Sequence, residues 1–393
     1  MSFKQFNLDS RLISSVDRAG FINPTPIQAE AIPLTLAGHD LIGTAQTGTG
    51  KTAAFVLPIL QKLITGPRGR TQVLIITPTR ELAEQIHQTI QTLAKGTQIR
   101  SATLYGGVSA APQLKALRNG VEILVACPGR LLDHLQQGHA RLNALTFLVL
   151  DEADRMFDMG FLPDVRKILK YVPKKRQTLL FSATFPSEIK DLASRTLTNP
   201  KYVTLGLNRP VHTVAHVLYP VPQHLKTKLV LSLLKSTNTG SVLIFTRTKH
   251  RAQGLARKIE NIGYKVTSLH SNRTQNQRQA ALDGFKNGTF QIMVATDIAA
   301  RGLDVEKVSH VINFDMPDTS DAYINRIGRT GRAENTGDAF TLTTPDDNDM
   351  VRILEKIMGK PLPRETLPEF NYHAPAPARR VQTSKSARRT VFR

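Results

Sequence analysis

A stretch near the start of the chain has the composition of a phosphate-binding loop. It spans residues 45–52, reads AQTGTGKT and follows the apolar pair at 41–42. Its glycines let the backbone turn tightly and point N–H groups at phosphate oxygens. Lys51 could reach the terminal phosphates of a nucleotide, and Thr52 could ligate Mg²⁺. The strict pattern has glycine where Ala45 stands, and an ordinary glycine-rich turn is the alternative, but the spacing favours a nucleoside triphosphate site.

The second chemical signal is an acidic pair, Asp151-Glu152, that directly follows the apolar run 147–150. An aspartate at the end of a strand can hold Mg²⁺, usually through water, and the adjacent glutamate can polarise an attacking water. Such a pair can also simply cap a helix, and Asp154 could serve as such a cap. The phosphate loop upstream favours the catalytic interpretation of this pair over the capping one.

Three arginines, Arg326, Arg329 and Arg332, recur at every third residue and are separated by two glycines. This is a poor pattern for a helix surface, but it suits guanidinium groups that stabilise a transferring phosphoryl group. A basic loop that contacts RNA phosphates is the alternative.

The elements that would position these residues alternate between strands and helices. In the first half, polar clusters follow short strand-like runs at 73–76, 101–104, 122–125, 147–150 and 178–181. Apolar strands separated by helices indicate a parallel sheet covered on both faces. Ligands bind beyond the carboxyl ends of such strands, so we expect the clusters to share one edge. Before the sheet, residues 1–20 predict an amphipathic helix with Asp9 as its N-cap.

A second strand–helix series follows a pause in the pattern near residue 210, and it contains no second phosphate loop. Its strand-like runs are 242–245, 265–269, 292–294 and 311–314. We therefore expect an α/β fold with two domains. The expected boundaries are 1–207 for the ATP-binding domain, 208–217 for a linker, 218–368 for the second domain and 369–393 for a disordered basic tail.

Charge points to a polyanionic partner. Lysine and arginine number 52 against 31 acidic residues, which gives a net charge of +21 at pH 7. Nucleic-acid affinity depends mainly on such cations, although a solvated basic surface or an anionic membrane would also account for the excess.

Cys127 is the one cysteine, which fits a reducing cytoplasm. No apolar stretch is long enough to span a membrane, so we expect no membrane partner.

Four of these stretches together resemble the motifs of DEAD-box RNA helicases. They are residues 45–52, Asp151-Glu152-Ala153-Asp154, the Ser-Ala-Thr sequence at 182–184, and residues 326–332. The resemblance extends over about residues 3–345, in the family's order and spacing. The family's phosphate loop commonly begins with alanine, which accounts for Ala45.

The resemblance implies two RecA-like domains, each a mostly parallel sheet covered by helices on both faces, that close over ATP, Mg²⁺ and single-stranded RNA. It implies that Gln28 reads adenine, which a side-chain amide can do because it has both donors and an acceptor, and that Phe3 stacks on the base. The implied phosphate ligands are Thr47, Gly48, Thr49, Gly50, Lys51 and Thr52.

Further roles are carried over position by position. Asp151 and Thr52 would hold the metal, Glu152 would polarise water, and Arg326 and Arg329 would be the arginine fingers. Gly302 and Asp304 would complete the nucleotide pocket, and Ser182 and Thr184 would couple hydrolysis to strand separation. The implied contacts to the RNA backbone are Thr79, Arg80, Gly107, Arg130, Thr248, Gln275, Arg278 and Thr296.

Two positions depart from the family pattern. Cys127 stands where threonine usually precedes Pro-Gly-Arg, and Asn325 stands where histidine usually precedes the first arginine of the 326–332 motif. The first change removes a hydroxyl from the predicted RNA contacts, and the second removes a polar link of the arginine loop. The stretches 157–161 and 271–275 resemble the RhlE-type bacterial branch.

We therefore expect an RNA-dependent ATPase that locally unwinds short RNA duplexes and remodels RNA or RNA–protein complexes. We expect it to be a cytoplasmic monomer that binds single-stranded RNA and short duplexes without sequence preference, and ribosomal or RNA-decay assemblies are the candidate settings. An ATP-controlled RNA clamp with little unwinding and a DNA translocase are the alternatives.

Overall fold

The computed structural model describes residues 2–45, 49–204, 214–237, 240–300, 305, 308–330 and 337–376. The predicted residues Thr47, Gly48, Gly302 and Asp304 lie outside these ranges. So do Arg332, residues 208–213 of the predicted linker, and residues 377–393 of the predicted tail. Within the described ranges, no helix is long and apolar enough to cross a membrane.

The chain forms two compact units, one around each of two sheets. In the described part of the first half, seven parallel strands lie in the order β3-β4-β2-β5-β6-β1-β7. The strands are β1 (Leu41–Thr44), β2 (Val73–Ile76), β3 (Ser101–Leu104), β4 (Ile123–Ala126), β5 (Phe147–Leu150), β6 (Gln177–Ser182) and β7 (Lys201–Thr204). The helices are α1 (Ser10–Arg18), α2 (Pro26–Leu36), α3 (Lys51–Leu63), α4 (Arg80–Leu93), α5 (Ala111–Asn119), α6 (Pro128–Gln136), α7 (Ala153–Asp158), α8 (Leu162–Leu169) and α9 (Ser187–Thr196).

Both faces of this sheet are covered by apolar core, which explains why its strands are apolar throughout. In β2, Val73 and Ile75 belong to one core, and Leu74 and Ile76 belong to the core on the opposite face. All four side chains are fully buried. The prediction of a parallel sheet covered on both faces is confirmed.

The second sheet has six strands within the described residues, in the order β10-β11-β9-β12-β13-β8. They are β8 (Val214–Pro220), β9 (Val242–Thr246), β10 (Val266–Leu269), β11 (Ile292–Thr296), β12 (His310–Asn313) and β13 (Gly337–Thr343). The helices in this half are α10 (Lys226–Ser236), α11 (Lys249–Glu260), α12 (Gln275–Lys286), α13 (Asp297–Ala300), α14 (Ser320–Ile327) and α15 (Asn348–Met358). The pairs β9–β12, β12–β13 and β13–β8 are parallel.

Two details differ from the sequence pattern. The predicted helix over 1–20 is confined to α1, with a short 3-10 turn at Phe3–Phe6 before it. Asp9 is its N-cap as predicted, since its carboxylate accepts a hydrogen bond from the backbone N–H of Arg11. Residues 214–217, placed by the sequence in the linker, form the first part of β8, where they pair with β13.

Two loops cross tightly at the amino edge of the first sheet. A Cβ atom on Gly120 would overlap the carbonyl oxygen of Gly69, and Gly120 has φ of +69°. Beside the crossing, the fully buried carboxylate of Glu122 accepts hydrogen bonds from the backbone N–H groups of Gly69 and Arg100, both at 2.7 Å. The backbone at this edge is therefore fixed by one close contact and one buried carboxylate.

We predict that Gly120→Ala lowers the free energy of unfolding by about 2–5 kcal/mol, because it combines a left-handed backbone with steric overlap. Gly138→Ala is the matched control, since Gly138 also has positive φ (+71°) but open space around its Cβ position. It should cost only about 1–2 kcal/mol. Denaturant unfolding of both variants measures the difference; equal losses would show that the crossing itself adds nothing.

Candidate active site at the carboxyl edge of the first sheet

The phosphate loop lies between β1 and α3, as the sequence predicts. Lys51 is the first residue of α3, and its buried Nζ donates a hydrogen bond to the carbonyl oxygen of Ala45 at 3.0 Å. Gly50 precedes it with φ of +90°, and a Cβ atom there would lie 2.5 Å from Nε2 of Gln28. Glycine is therefore required at this position both by conformation and by space.

Gln28 is buried against this loop. Its Nε2 donates a hydrogen bond to the carbonyl oxygen of Gly50 at 3.0 Å, and its Oε1 accepts one from the backbone N–H of Thr25 at 2.9 Å. The second bond belongs to a capping box at the start of α2. The amide thus connects the start of α2 to the phosphate loop, a link between residues 22 positions apart.

Phe3 is buried, with 3% of its surface exposed. Its ring stacks on Phe21 with centroids 6.2 Å apart and makes an edge contact with Phe6 at 6.0 Å. Phe21 is only half-buried, so it is the member of this cluster that lies nearest to solvent. The sequence analysis did not single it out, although its place before two prolines in the segment that leads to Gln28 was a usable signal.

The acidic pair follows β5 and is almost completely buried, at 2% exposure for Asp151 and 4% for Glu152. Burial raises the pKa of Asp151 to about 6; Lys51 opposes this shift, and the charge of Glu152 adds to it. An Oδ1 atom of Asp151 accepts a hydrogen bond from the backbone N–H of Glu152 at 3.0 Å. A cation placed beside this carboxylate would favour its charged form.

Glu152 has an unusual backbone and a partner that the sequence analysis missed. Its φ and ψ are +54° and +52°, a left-handed conformation that costs a side-chain-bearing residue roughly 1–2 kcal/mol. Its Oε2 accepts a hydrogen bond from Nη1 of buried Arg155 at 2.6 Å, across a spacing of three residues. The strained turn directs the carboxylate, and Arg155 holds it.

Asp154 joins the acidic segment to the loop after β6. Its Oδ2 accepts hydrogen bonds from the backbone N–H groups of Ala183 (3.1 Å) and Thr184 (3.0 Å), and from Oγ1 of Thr184 (3.3 Å). In the reverse direction, the N–H of Asp154 donates to Oγ of Ser182 at 3.1 Å. The N-cap of α7 is Glu152 rather than Asp154, so Asp154 serves this connection instead of capping.

Oxygen donors at this site fit Mg²⁺. Magnesium is usually bound by one or two carboxylates together with substrate phosphates and water. Asp151 supplies a carboxylate whose pKa is raised mainly by burial, and Thr52 supplies a hydroxyl one residue after Lys51. Among the described residues, no group of three or more histidine, cysteine, aspartate or glutamate side chains could hold a metal.

The predicted RNA-binding residues of the first half follow neighbouring strands and so share the carboxyl edge with the acidic pair. Thr79 caps α4 after β2 by accepting a hydrogen bond from the backbone N–H of Leu82. The Arg80 guanidinium lies over Gly107, where any Cβ atom would overlap it. Arg130, after β4, donates from Nη2 to the carbonyl of Val108 at 3.5 Å, and its Nη1 has no hydrogen-bond partner among the described residues.

Cys127 occupies the N-cap of α6 and makes no capping hydrogen bond with its side chain. Burial raises the pKa of its thiol to about 12, so the neutral form is retained at physiological pH. The departure from threonine therefore leaves this helix start uncapped by its side chain and presents a thiol where the family pattern has a hydroxyl.

The predicted RNA-binding residues of the second half also follow strands. Thr248, after β9, caps α11 through a hydrogen bond from the backbone N–H of Arg251. Gln275 begins α12, Arg278 lies three residues further along the same helix, and Thr296 ends β11. Gln275 and Thr296 are each 9% exposed.

Arg326 is held inside its own unit. Its Nη1 donates to Oδ1 of Asn313 at 3.0 Å and to the carbonyl of Asp315 at 2.7 Å, and its guanidinium lies 5.0 Å from the centroid of the Phe245 ring. The backbone N–H of Arg329 donates to the carbonyl of Arg326 at 3.2 Å. The contacts of Arg326 therefore also fix the backbone that carries Arg329.

Comparison with known proteins agrees with this arrangement. Residues 25–192 match the DEAD/DEAH box helicase family, and residues 225–334 match the helicase conserved C-terminal domain. The DEAD-box ATP-dependent RNA helicase CshA of Bacillus licheniformis is 42% identical over 94% of this chain and 76% of its own length. The ATP-dependent rRNA helicase RRP3 of Candida glabrata is 44% identical over 93% of this chain and 75% of its own length.

A solved structure shows the same fold. A structure of S. cerevisiae Dbp5 bound to RNA and ADP BeF3 is 29% identical with a TM-score of 0.82, over 93% of this chain and 95% of that chain. A parallel α/β sheet with a phosphate loop and an acidic pair at one edge is the arrangement of a nucleoside triphosphatase, and the two family matches identify an ATP-dependent helicase with two RecA-like domains. The chain belongs to the DEAD-box helicase family.

We predict that Glu152→Gln lowers the rate of ATP hydrolysis at least about 100-fold while ATP affinity stays within a few-fold, because an amide cannot polarise water as a carboxylate does. Steady-state ATPase rates and nucleotide binding by equilibrium titration measure the two quantities. Asp164→Asn makes the same acid-to-amide change at the exposed ion pair with Lys167 and should leave both unchanged. Near-normal turnover in Glu152→Gln would rule out the role assigned to Glu152.

Proposed function

We propose that the protein is an RNA-dependent ATPase that locally unwinds short RNA duplexes and remodels RNA or RNA–protein complexes. The observation that supports this most directly is the connection through Asp154. Its carboxylate bonds the segment that carries the acidic pair to Ala183 and Thr184, in the loop after β6. A change at the nucleotide is thereby transmitted to a second loop on the same sheet edge. The relatives named as RNA helicases support RNA as the substrate.

In this proposal the first unit binds and positions the nucleotide. Thr47, Gly48, Thr49, Gly50, Lys51 and Thr52 hold the phosphates, Gln28 and Phe3 recognise the adenine side, and Glu152 polarises water. Mg²⁺ would be held by Asp151 and Thr52, and when bound it would neutralise charge on the phosphates. Gly302 and Asp304 are proposed to complete the nucleotide pocket.

Arg326 and Arg329 are the proposed arginines that stabilise charge on the transferring phosphoryl group. Because Asn313 and the carbonyl of Asp315 already hold the Arg326 guanidinium, we expect Arg326 to act partly by positioning the loop that carries Arg329. Asn325 is exposed at this point and replaces the histidine of the family pattern.

RNA would be bound through its backbone, which explains recognition without sequence preference. The proposed contacts are Thr79, Arg80, Gly107, Arg130, Thr248, Gln275, Arg278 and Thr296. Ser182 and Thr184 would pass the effect of hydrolysis to the RNA, since both take part in the hydrogen bonds with Asp154.

The wider setting rests on the sequence. We propose domains at 1–207 and 218–368, membership in the RhlE-like branch, and a linker that begins at 208 and ends before β8 begins at Val214 rather than at 217. In the predicted tail at 369–393, Phe370 and Tyr372 pack against the core of the second unit, so the proposed basic RNA-tethering segment begins after them. The single cysteine supports a cytoplasmic location. A monomer that acts in ribosomal or RNA-decay assemblies is the proposed form.

The test is to measure ATP hydrolysis and duplex release in parallel on one sample of the protein. We expect single-stranded RNA to stimulate hydrolysis, DNA to stimulate it much less, and a short RNA duplex to be released only with ATP. The Glu152→Gln variant is the control for hydrolysis. Stimulated hydrolysis without release would instead indicate an ATP-controlled clamp, and equal stimulation by DNA would indicate a DNA translocase.

A further inference from the structure

The first unit has a basic cavity at the edge of its sheet opposite to the phosphate loop. Its volume is about 630 Å³. It is formed by the segment before β2, the end of α5 with Gly120 before β4, and the segment 138–144 before β5. Since β4, β2 and β5 are neighbours in the sheet, three segments distant in sequence meet there.

Three exposed arginines line this basic cavity, one from each segment: Arg70, Arg118 and Arg141. None of the three has an ion pair or side-chain hydrogen bond with the described residues. His139 is a further lining residue, and no acidic residue lines the cavity within the described part of the chain. Three positive charges on the wall of one cavity, with no acidic residue among its described lining, favour an anionic ligand.

The cavity wall is fixed rather than loose. Gly69 and Gly120 line it and cross within contact distance, and the buried Glu122 carboxylate holds the Gly69 N–H at 2.7 Å. The same carboxylate lies 3.9 Å from Nε of Arg100, which partly offsets its negative charge. Arg70 and Arg118, which lie one and two residues from this crossing, thus extend from a preorganised backbone, and this lowers the cost of binding a ligand.

The lining identifies which part of a nucleic acid would bind. No phenylalanine, tyrosine or tryptophan is among the described lining residues, so a base has no aromatic ring on which to stack. Arginine forks, in contrast, match phosphate oxygens in a bidentate geometry. The chemistry therefore favours phosphate groups over bases.

We propose that this basic cavity binds backbone phosphates of an RNA segment that extends beyond the nucleotide-dependent site. The proposal rests on the proposed function, because RNA is the polyanion on which that function acts. The strands between the two edges have four residues, roughly 13 Å. A short oligonucleotide bound at the carboxyl edge would not reach the cavity, whereas a longer RNA passing around the unit would.

The test replaces all three arginines by glutamine and measures RNA binding as a function of salt. Each phosphate contact to a single strand contributes about 0.7 to the slope of log affinity against log salt. For a long RNA, we therefore expect the slope to fall in magnitude by about 2 and low-salt affinity to fall on the order of tenfold or more. Binding of a short oligonucleotide and the RNA-saturated hydrolysis rate should stay unchanged.

The matched control replaces three exposed lysines by glutamine. They are Lys62, Lys190 and Lys201, and none of them lines the cavity. It changes net charge equally, so any general charge effect appears in both variants. Replacing the three arginines by lysine keeps the charge and should restore most of the salt slope. Thermal unfolding of each variant verifies that the fold is intact.

Two results would overturn the proposal. If replacing the three arginines by glutamine and replacing the three control lysines by glutamine weaken long-RNA binding equally, the cavity is not the site. Loss of inorganic tripolyphosphate binding in the arginine variant, with long-RNA binding unchanged, would show that a small polyphosphate is bound instead of RNA. Direct binding does not depend on hydrolysis, so failure here is distinguishable from failure of the proposed ATPase activity.

Discussion

The carboxylate of Asp154 is the contact on which the arrangement of the first unit most depends. It accepts hydrogen bonds from two backbone N–H groups and a hydroxyl in the loop after β6, and a fourth from the N–H of Arg155. Since β5 and β6 are adjacent parallel strands, the loops that follow them are neighbours, and this carboxylate makes them one unit. Displacing either loop would break all of these hydrogen bonds together, and the bonds from the N–H groups of Ala183 and Asp154 are partly shielded from solvent.

The hydrogen bonds of Asp154 help to keep the neighbouring acidic pair in an arrangement that is unfavourable by itself. Asp151 and Glu152 are buried side by side, with a raised pKa at Asp151 and a left-handed backbone at Glu152. Both features are unfavourable in isolation, and such strain persists where the surroundings fix it. The Lys51 amine, the Arg155 ion pair and the Asp154 bonds supply that support. A site built in this way favours a bound cation and a positioned carboxylate.

Sequence alone predicted the parts of the site that depend on local order. Asp151 directly follows β5, and Lys51 begins α3 after the loop that follows β1, so both lie at the carboxyl edge of a parallel sheet. Contacts across distant segments could not be predicted, because the strand order β3-β4-β2-β5-β6-β1-β7 is not encoded in any short pattern. The Gln28–Gly50 bond, the Arg155 partner of Glu152 and the basic cavity all depend on that order or on a single unusual φ angle. The position of β8 was misjudged because its first residues follow a pause in the pattern.

Coupling between hydrolysis and strand separation is the central claim, and the number of duplexes released per ATP hydrolysed measures it directly. In Ser182→Ala, the bonds from the Asp154 N–H and to the Thr184 carbonyl are lost, while the groups around the phosphates are untouched. We expect nearly normal RNA-stimulated hydrolysis and about tenfold fewer duplexes released per ATP, whereas the control Ser187→Ala should leave both unchanged. A proportional fall in both rates, leaving the ratio constant, would contradict it.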